Sequence, residues 1–481
     1  MRTDLILGPP GTGKTTYLLN KVDEAIKSGI SPERIGFFAF TKKAAEEAKE
    51  RALKKFGDIN LPYFRTLHSL AFKLLKLSRS EVMRTEDFKE LGEILGSYTF
   101  SQQYGETMER VPQEGALGDI CMSLYSLQKA EMITPEEAWR RHGKDIALDV
   151  YKYFVTNLER FKNQRMKLDF TDFMSRDFAP LDLDLLIIDE AQDLTKQQWK
   201  FAMQIGKIAT KVIIAGDDDQ SIFKWSGADL NTFLGLQGNK TVLPKSFRLP
   251  KAIYNVANDI VNKINFRYVK DWEPADREGQ VTWVNSPEDV KIDLKSSWLM
   301  LARQRYQLDE YERICRNQGI PYILEGDNIL KSPDIRVVFI YEKLRKNDSI
   351  DEESAKLLAK YTETKLKEKE SYTKQDFNLD FDKPWFEVLH RIGLETIAYI
   401  RKIKQNNISL LTEPNVKINT IHSVKGGEAD NVILLTDIPG KTYKNYILSP
   451  DDEHRVWYVA VSRAKEKLFI VQPRMLKSYI F

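Results

Sequence analysis

The sequence predicts an α/β protein of two parallel-sheet cores with two helical insertions. It opens as strand, glycine-rich turn, helix and strand; apolar runs that end in carboxylates recur along it; and two long stretches carry helical periodicity with few strand signals. In order, "DLILGPPGTGKTTYLLNKVDEAIKSG" reads as a short apolar strand, a turn and an amphipathic helix ending at Gly29. "IGFFAF" is a buried strand and "KKAAEEAKERALKKF" a helix, which makes a βαβ opening. "LDLLIIDEA" and "KVIIAGD" are parallel-type strands with carboxylates at their C-terminal ends, where open α/β sheets place ligands. The second half repeats the style in "SSWLMLARQ", "VKINTIH", "NVILLTD" and "KLFIVQP". The expected division is a first core from 1–78 and 163–247 and a second from 248–347 and 415–481, with insertions at 79–162 and 348–414. The charged run "TETKLKEKESYTKQD" reads as a solvated helix face.

At 481 residues the chain exceeds one ordinary domain. A hydrophobic fraction of 42%, a charged fraction of 30% and a mean hydropathy of -0.43 describe a globular chain, and no apolar run suggests a membrane span. Asp4 interrupts the first apolar stretch, so no secretory leader is expected and the cytosol is the expected compartment. Cys121 and Cys315 stand far apart in no ligand spacing, which predicts reduced thiols and no cysteine-bound metal. A net charge of +3 is compatible with a polyanionic partner without implying one.

"GPPGTGKTT" fits the phosphate-loop pattern and lies between a strand and a helix, the context such a loop requires. Its residues Gly8, Pro9, Pro10, Gly11, Thr12, Gly13, Lys14, Thr15 and Thr16 are the candidate nucleotide contacts. Backbone N–H groups would face the phosphates, Lys14 would reach the β- and γ-phosphates, and Thr15 would ligate Mg²⁺. "LLIIDEAQD" supplies the rest of the site: Asp189 at a strand end for Mg²⁺, and Glu190 as the general base that activates water. Hydrolysis of a nucleoside triphosphate is the leading chemistry.

Eight motifs in order, "GPPGTGKTT", "FAFTKKAA", "TLHSLAF", "DEAQD", "GDDDQSIFKWSGA", "SFRLP", "TIHSVKGGEADNVILL" and "YVAVSRAKEKLFI", together resemble the UvrD/Rep/PcrA family of superfamily 1A DNA helicases. The resemblance implies two RecA-like cores (1A and 2A), a helical 1B insertion and a reduced 2B insertion. ATP and Mg²⁺ are then the expected cofactors, and single-stranded DNA and tailed duplex DNA the expected partners. It also implies 3′ to 5′ movement on DNA, by a monomer associated with the DNA of a bacterial or phage-infected cell.

Carried over by residue, Gln220 senses the γ-phosphate and Gln192 relays that state toward DNA, while Arg248 and Arg463 match the two γ-phosphate arginines of the second core. Phe247 matches the aromatic that stacks on adenine, Glu428 the ribose contact, and Arg303 a further arginine of the second core. Phe40, Thr41, His68, Phe223, Trp225, Thr420 and His422 match positions that contact single-stranded DNA. Aromatic faces accept any base, although an isolated Phe40 or Phe223 is more often core than platform. Trp225 is the strongest candidate because its neighbours "KWSG" are polar.

The sequence also departs from the family. Only "MRTDLIL" precedes Gly8, without the glutamine that reads adenine; Thr16 stands where arginine is common, and Phe247 where tyrosine is usual. Relaxed selectivity among NTPs is therefore expected. The 348–414 insertion is much shorter than the family's large 2B subdomain, and with only "RMLKSYIF" after the last motif no nuclease domain or long partner-binding tail is expected. Three readings stay open: a helicase, a single-strand translocase with little unwinding, and a nucleotide-switched DNA-binding module. In "GDDDQSIFKWSGAD" the acids and Gln220 are assigned to the ATP side and Phe223 and Trp225 to the DNA side. With Phe223 for tyrosine and Ser226 for arginine, coupling is expected to rest on Trp225.

Overall fold

The computed structural model describes residues 2–57, 59–96, 98–100, 115–143 and 145–481. The chain forms two compact units: Met1–Arg248 with Val261–Asp276 and Asp451–Val456, and Leu249–Ile260 with Arg277–Pro450 and Trp457–Phe481. Among the described residues no helix is long and apolar enough to cross a membrane.

The first unit is built on β1 (Arg2–Leu7), β2 (Ile35–Ala39), β3 (Phe64–Thr66), β4 (Leu185–Ile188), β5 (Lys211–Gly216) and β6 (Asn239–Val242). They lie in the order β3-β2-β4-β5-β1-β6 and every pairing is parallel. Sheets of this kind are covered on both faces, which is why the central strands are continuous apolar runs; all four residues of β4 are buried. Helix α1 (Lys14–Lys27) turns Leu18, Leu19, Val22 and Ala25 toward the sheet, a spacing of three and four residues. It ends before Gly29, whose φ of +91° lets the chain turn back. Helix α2 (Lys42–Phe56) starts where the Thr41 hydroxyl accepts the Ala44 N–H at 3.2 Å. Helix α3 (Leu67–Leu74) follows β3 directly, with Thr66 capping Ser69 in the same way.

The stretch 79–162 is helical where described, in α4 (Thr85–Leu95), α5 (Leu117–Glu131), α6 (Pro135–His142) and α7 (Leu148–Arg165); residues 101–114 lie outside the described residues. It has a core of its own, in which Phe88, Leu91, Met122, Tyr125, Tyr151, Phe154 and Leu158 are buried together. A buried polar knot ties this core to the sheet-bearing part. The Lys162 ammonium donates to Tyr125 Oη at 2.7 Å, to Asp169 at 2.9 Å and to Asp172 at 2.8 Å. Removing one member of a buried ion group strands the others. Lys162→Met should therefore lower stability by about 3–5 kcal/mol, read as a shift in the urea midpoint; a shift worth less than about 1 kcal/mol contradicts this account of the knot.

A two-stranded sheet, β7 (Lys245–Pro250) with β8 (Glu273–Ala275), follows β6. The second unit is built on β9 (Gln280–Val284), β10 (Trp298–Ala302), β11 (Tyr322–Leu324), β12 (Asp327–Asn328), β13 (Val416–Thr420), β14 (Ala429–Leu435) and β15 (Ala464–Val471). Their order is β12-β11-β13-β10-β14-β15-β9, parallel except for the β11–β12 hairpin. The two parallel-sheet cores expected from the apolar runs are thus present. The strands β3, β6, β11 and β12 are only two to four residues long, too short to be legible beforehand, and β9 mixes apolar with polar residues rather than forming a continuous apolar run.

The stretch 348–414 differs from 79–162 in its packing. Its Ile350, Leu358, Tyr372, Trp385, Tyr399 and Ile403 join one cluster with Met300, Val416, Ile418 and Ile433 of the sheet. Tyrosine hydroxyls fasten it: Tyr399 donates to Ile320 O at 2.9 Å, and Tyr341 to Lys383 O at 2.9 Å. These residues complete the second core rather than stand apart from it.

Candidate functional site

The phosphate loop crosses from β1 to α1, with Gly8 N–H donating to Gly216 O of β5 at 3.0 Å. Gly11 and Gly13 have φ of +72° and +76°, left-handed conformations that non-glycine residues adopt at a cost of about 1–2 kcal/mol. Thr12 is buried and its hydroxyl donates to Pro9 O at 2.8 Å, so that side chain shapes the loop. Thr15 is the second residue of α1, and Thr16 is exposed. The loop is also clasped by β7 within the same unit: Ser246 Oγ donates to Pro10 O at 2.7 Å and Phe247 N to Gly11 O at 2.8 Å. A methyl group on Gly11 would sit 2.2 Å from Arg248 Cβ. Gly11→Ala should consequently weaken nucleotide binding at least tenfold by pushing Arg248 away, with binding measured by titration; unchanged affinity contradicts the clasp.

Lys14 lies among acids. Its ammonium hydrogen-bonds Glu190 and stands 3.4 Å from Asp189. Burial works against the charged lysine, but Glu190 and Asp189 overcome that and hold its pKa above the ordinary range. Burial raises the Asp189 carboxyl, and Lys14 partly offsets the effect. Glu190 follows the last residues of β4 with φ of +55°, an uncommon left-handed conformation for a glutamate. Asp189 and the hydroxyl of Thr15 are hard oxygen donors, few enough for a small cation that keeps water and takes phosphate oxygens. Two carboxylates against one ammonium also leave negative charge for it to meet, so these residues fit Mg²⁺.

From Glu190 a hydrogen-bonded path runs into the next loop. Gln192 Nε2 donates to Glu190 Oε2 at 2.7 Å, and Gln192 Oε1 accepts Asp217 N–H at 3.1 Å. Gln220 Nε2 then donates to Asp217 Oδ2 at 2.8 Å. Asp217, Asp218 and Asp219 are buried close together, and Lys270 and Arg267 pair with them, offsetting two of the three charges. Only Asp217 of the three joins the path described from the phosphate loop; the acidic start of the motif is largely an ion-pair core.

Three residues beyond Gln220, the Phe223 ring stacks on Phe40 at 5.5 Å between centroids, and Trp225 meets Phe223 edge-on at 6.2 Å. All three rings are half-buried. His68 in α3 is half-buried, and burial lowers its pKa to about 4, so it is neutral near pH 7. The Thr41 hydroxyl, expected to touch DNA, is engaged in capping α2. Phe247 is 69% exposed and its ring is the nearest neighbour of Gly13.

The remaining candidates belong to the second unit. Arg463 is buried after β14 and before β15, donating through Nε to Val459 O at 2.9 Å and through Nη1 to Gly427 O at 3.2 Å. That places it one residue from Glu428, whose carboxylate stands 3.6 Å from Lys465 Nζ. Thr420 is the last residue of β13 and His422 lies just beyond it; Thr420 N–H donates to Glu325 at 2.7 Å. Burial, with Arg303 and Lys425 nearby, lowers His422 to about 3.

A model of the UvrD/REP helicase N-terminal domain matches residues 2–241, and one of the UvrD-like helicase C-terminal domain matches residues 352–474. The chain belongs to the UvrD/Rep helicase family. Among UvrD/Rep relatives it is similar to the ATP-dependent DNA helicase Rep of Buchnera aphidicola, 26% identical over 452 residues that cover 83% of this chain and 64% of that protein. It is similar also to the ATP-dependent DNA helicase PcrA of Staphylococcus aureus, 23% identical over 295 residues that cover 57% of this chain and 40% of that protein. The chain therefore spans less than two thirds of these relatives. Sequence reading missed the cations Arg267 and Lys270, which lie in "NFRYVKDW" with no recognised spacing, and the Ser246 clasp, which only the folded loop brings to Pro10.

Proposed function

We propose that this chain is an ATP-dependent motor on single-stranded DNA, of 3′ to 5′ polarity, able to separate duplex ahead of it. The observation that carries this reading is the path Lys14–Glu190–Gln192–Asp217–Gln220, which joins the phosphate loop to the loop bearing Phe223 and Trp225. Lys14 exchanges its carboxylate partners for phosphate oxygens when nucleotide binds. Glu190, released from the ammonium, is then free to orient water and take its proton. Gln192 follows because its amide is bonded to Glu190, and Asp217 and Gln220 follow in turn. The change reaches the three-ring group through about three residues of backbone.

Thr15 and Asp189 are the residues that would hold Mg²⁺, which when bound neutralises charge on the β- and γ-phosphates. Arg248 beside Gly11 is assigned to the γ-phosphate, and exposed Phe247 beside Gly13 to the base. The roles of Arg463, Glu428, Arg303, Thr420 and His422 rest on family membership and motif position. Work by a monomer in the cytosol is part of the same reading.

The deciding experiment is ATP-dependent strand separation on duplexes with a 3′ or a 5′ single-stranded tail. Activity from the 3′ tail is expected; activity only from the 5′ tail overturns the polarity. DNA-stimulated hydrolysis without strand separation leaves the translocase, a reading favoured by the merging of 348–414 into the second core. ATP, GTP and CTP should be turned over at rates within about tenfold of each other, since a ring face discriminates bases weakly. A strict ATP preference contradicts that expectation.

A further inference from the structure

Lys270 lies outside every motif that led to the functional reading, yet its ammonium is fully enclosed. It stands 3.1 Å from Asp217, 2.5 Å from Asp218 and 2.8 Å from Asp219. Arg267 grips Asp219 through two bonds, Nε to Oδ1 at 2.7 Å and Nη2 to Oδ2 at 2.6 Å. Tyr268 N–H donates to Asp218 Oδ2 at 2.8 Å, so the segment 267–270 covers the acidic triplet from one side. Burying an ammonium is costly, and apolar side chains of similar volume would serve cohesion as well or better. The three acids do not have equal neighbours. Asp217 alone of the three faces the nucleotide path, accepting Gln220 Nε2 at 2.8 Å and offering its own N–H to Gln192 Oε1 at 3.1 Å.

We infer that Lys270 is a positioning residue for nucleotide hydrolysis: its ammonium fixes the Asp217 carboxylate, and through it the Gln220 amide, in the arrangement turnover requires. The inference rests on the reading of the chain as an NTP hydrolase. Without a fixed cation the fully buried Asp217 carboxylate would turn further toward the Asp219 N–H, which it already accepts at 3.2 Å, and away from the Gln220 amide. Gln220 would then adopt several rotamers, of which few face a phosphate. Nucleotide affinity is set mainly by the phosphate loop, so the defect belongs in kcat more than in KM.

Charge balance and positioning are separable. Three carboxylates against Lys270 and Arg267 leave one excess negative charge. The pair of changes Lys270→Met and Asp218→Asn removes one charge of each sign and keeps that balance, while Asp217 loses its ammonium. This doubly substituted chain should lose at least tenfold in DNA-stimulated kcat, with KM for ATP within threefold of the parent. Asp217→Asn, which keeps the shape and leaves Lys270 to the other two acids, should show the same kcat-selective loss and covers the case in which the double variant fails to fold. Parental kcat in a folded form of either variant overturns the inference, as does a loss that appears equally in nucleotide affinity. The unsubstituted protein is the control: if it does not hydrolyse ATP the functional reading has failed, whereas parental turnover with indifferent variants removes Lys270 alone.

Discussion

Glu190→Gln lowers ATP turnover by about 10²–10⁴-fold, the range that loss of a general base produces, while nucleotide affinity stays within about threefold. The surroundings of Glu190 explain why the two quantities part. Glutamine keeps an oxygen for the Gln192 amide, which donates at 2.7 Å, and it tolerates the left-handed backbone as glutamate does. Asp189 remains 3.4 Å from Lys14 to hold that ammonium near the loop. What disappears is the proton acceptor. Steady-state turnover alongside titration with a fluorescent nucleotide measures both effects. Turnover within about threefold of the parent removes Glu190 from the role of base.

The second large effect concerns the ring group. Trp225→Ala should weaken single-stranded DNA binding by roughly 5- to 150-fold, the equivalent of about 1–3 kcal/mol for one stacked base. Phe223→Ala should cost less, because one face of that ring is already stacked on Phe40 at 5.5 Å. Fluorescence anisotropy of a labelled oligothymidine reads both affinities at one salt concentration, which must be held fixed because phosphate contacts are screened. A larger loss in Phe223→Ala than in Trp225→Ala contradicts the assignment of Trp225 as the principal platform. Neutral His68, with its pKa near 4, adds no cation to this surface, so affinity should not change between pH 6 and 8 on its account.

Much of the fold was legible because parallel strands buried on both faces must be apolar runs, and "IGFFAF", "LLIID", "VIIAG" and "NVILL" are such runs. The phosphate loop was legible for a different reason. Glycines with positive φ and a lysine before a helix leave a fixed spacing, and Gly11 and Gly13 adopt the backbone that the spacing requires. Pairings between distant segments were not legible. Nothing local in "NFRYVKDW" says that Lys270 will meet three carboxylates more than fifty residues earlier, since a buried ion pair leaves no periodic trace. The same holds for β7 over the phosphate loop, where a serine hydroxyl and one backbone N–H donate to two loop carbonyls.

The acid triplet shows the limit of reading charge from sequence. "GDDDQ" invites a metal, because three adjacent carboxylates on a solvated loop would attract one. In the fold they are buried, and buried carboxylates are stabilised by fixed cations. Burial still raises the Asp218 carboxyl to about 6 despite Lys270. The 348–414 stretch makes a related point about packing. Helical periodicity marks an apolar face but not its partner, and here that partner is the second sheet through Tyr399, Ile400 and Ile403.

The most direct test of the central claim is ATP turnover by the unsubstituted chain with and without single-stranded DNA, at saturating nucleotide and Mg²⁺. Coupling through Glu190, Gln192, Asp217 and Gln220 to the loop of Phe223 and Trp225 predicts turnover stimulated at least tenfold by DNA. Nucleotide binding with no turnover, or turnover indifferent to DNA, would contradict it.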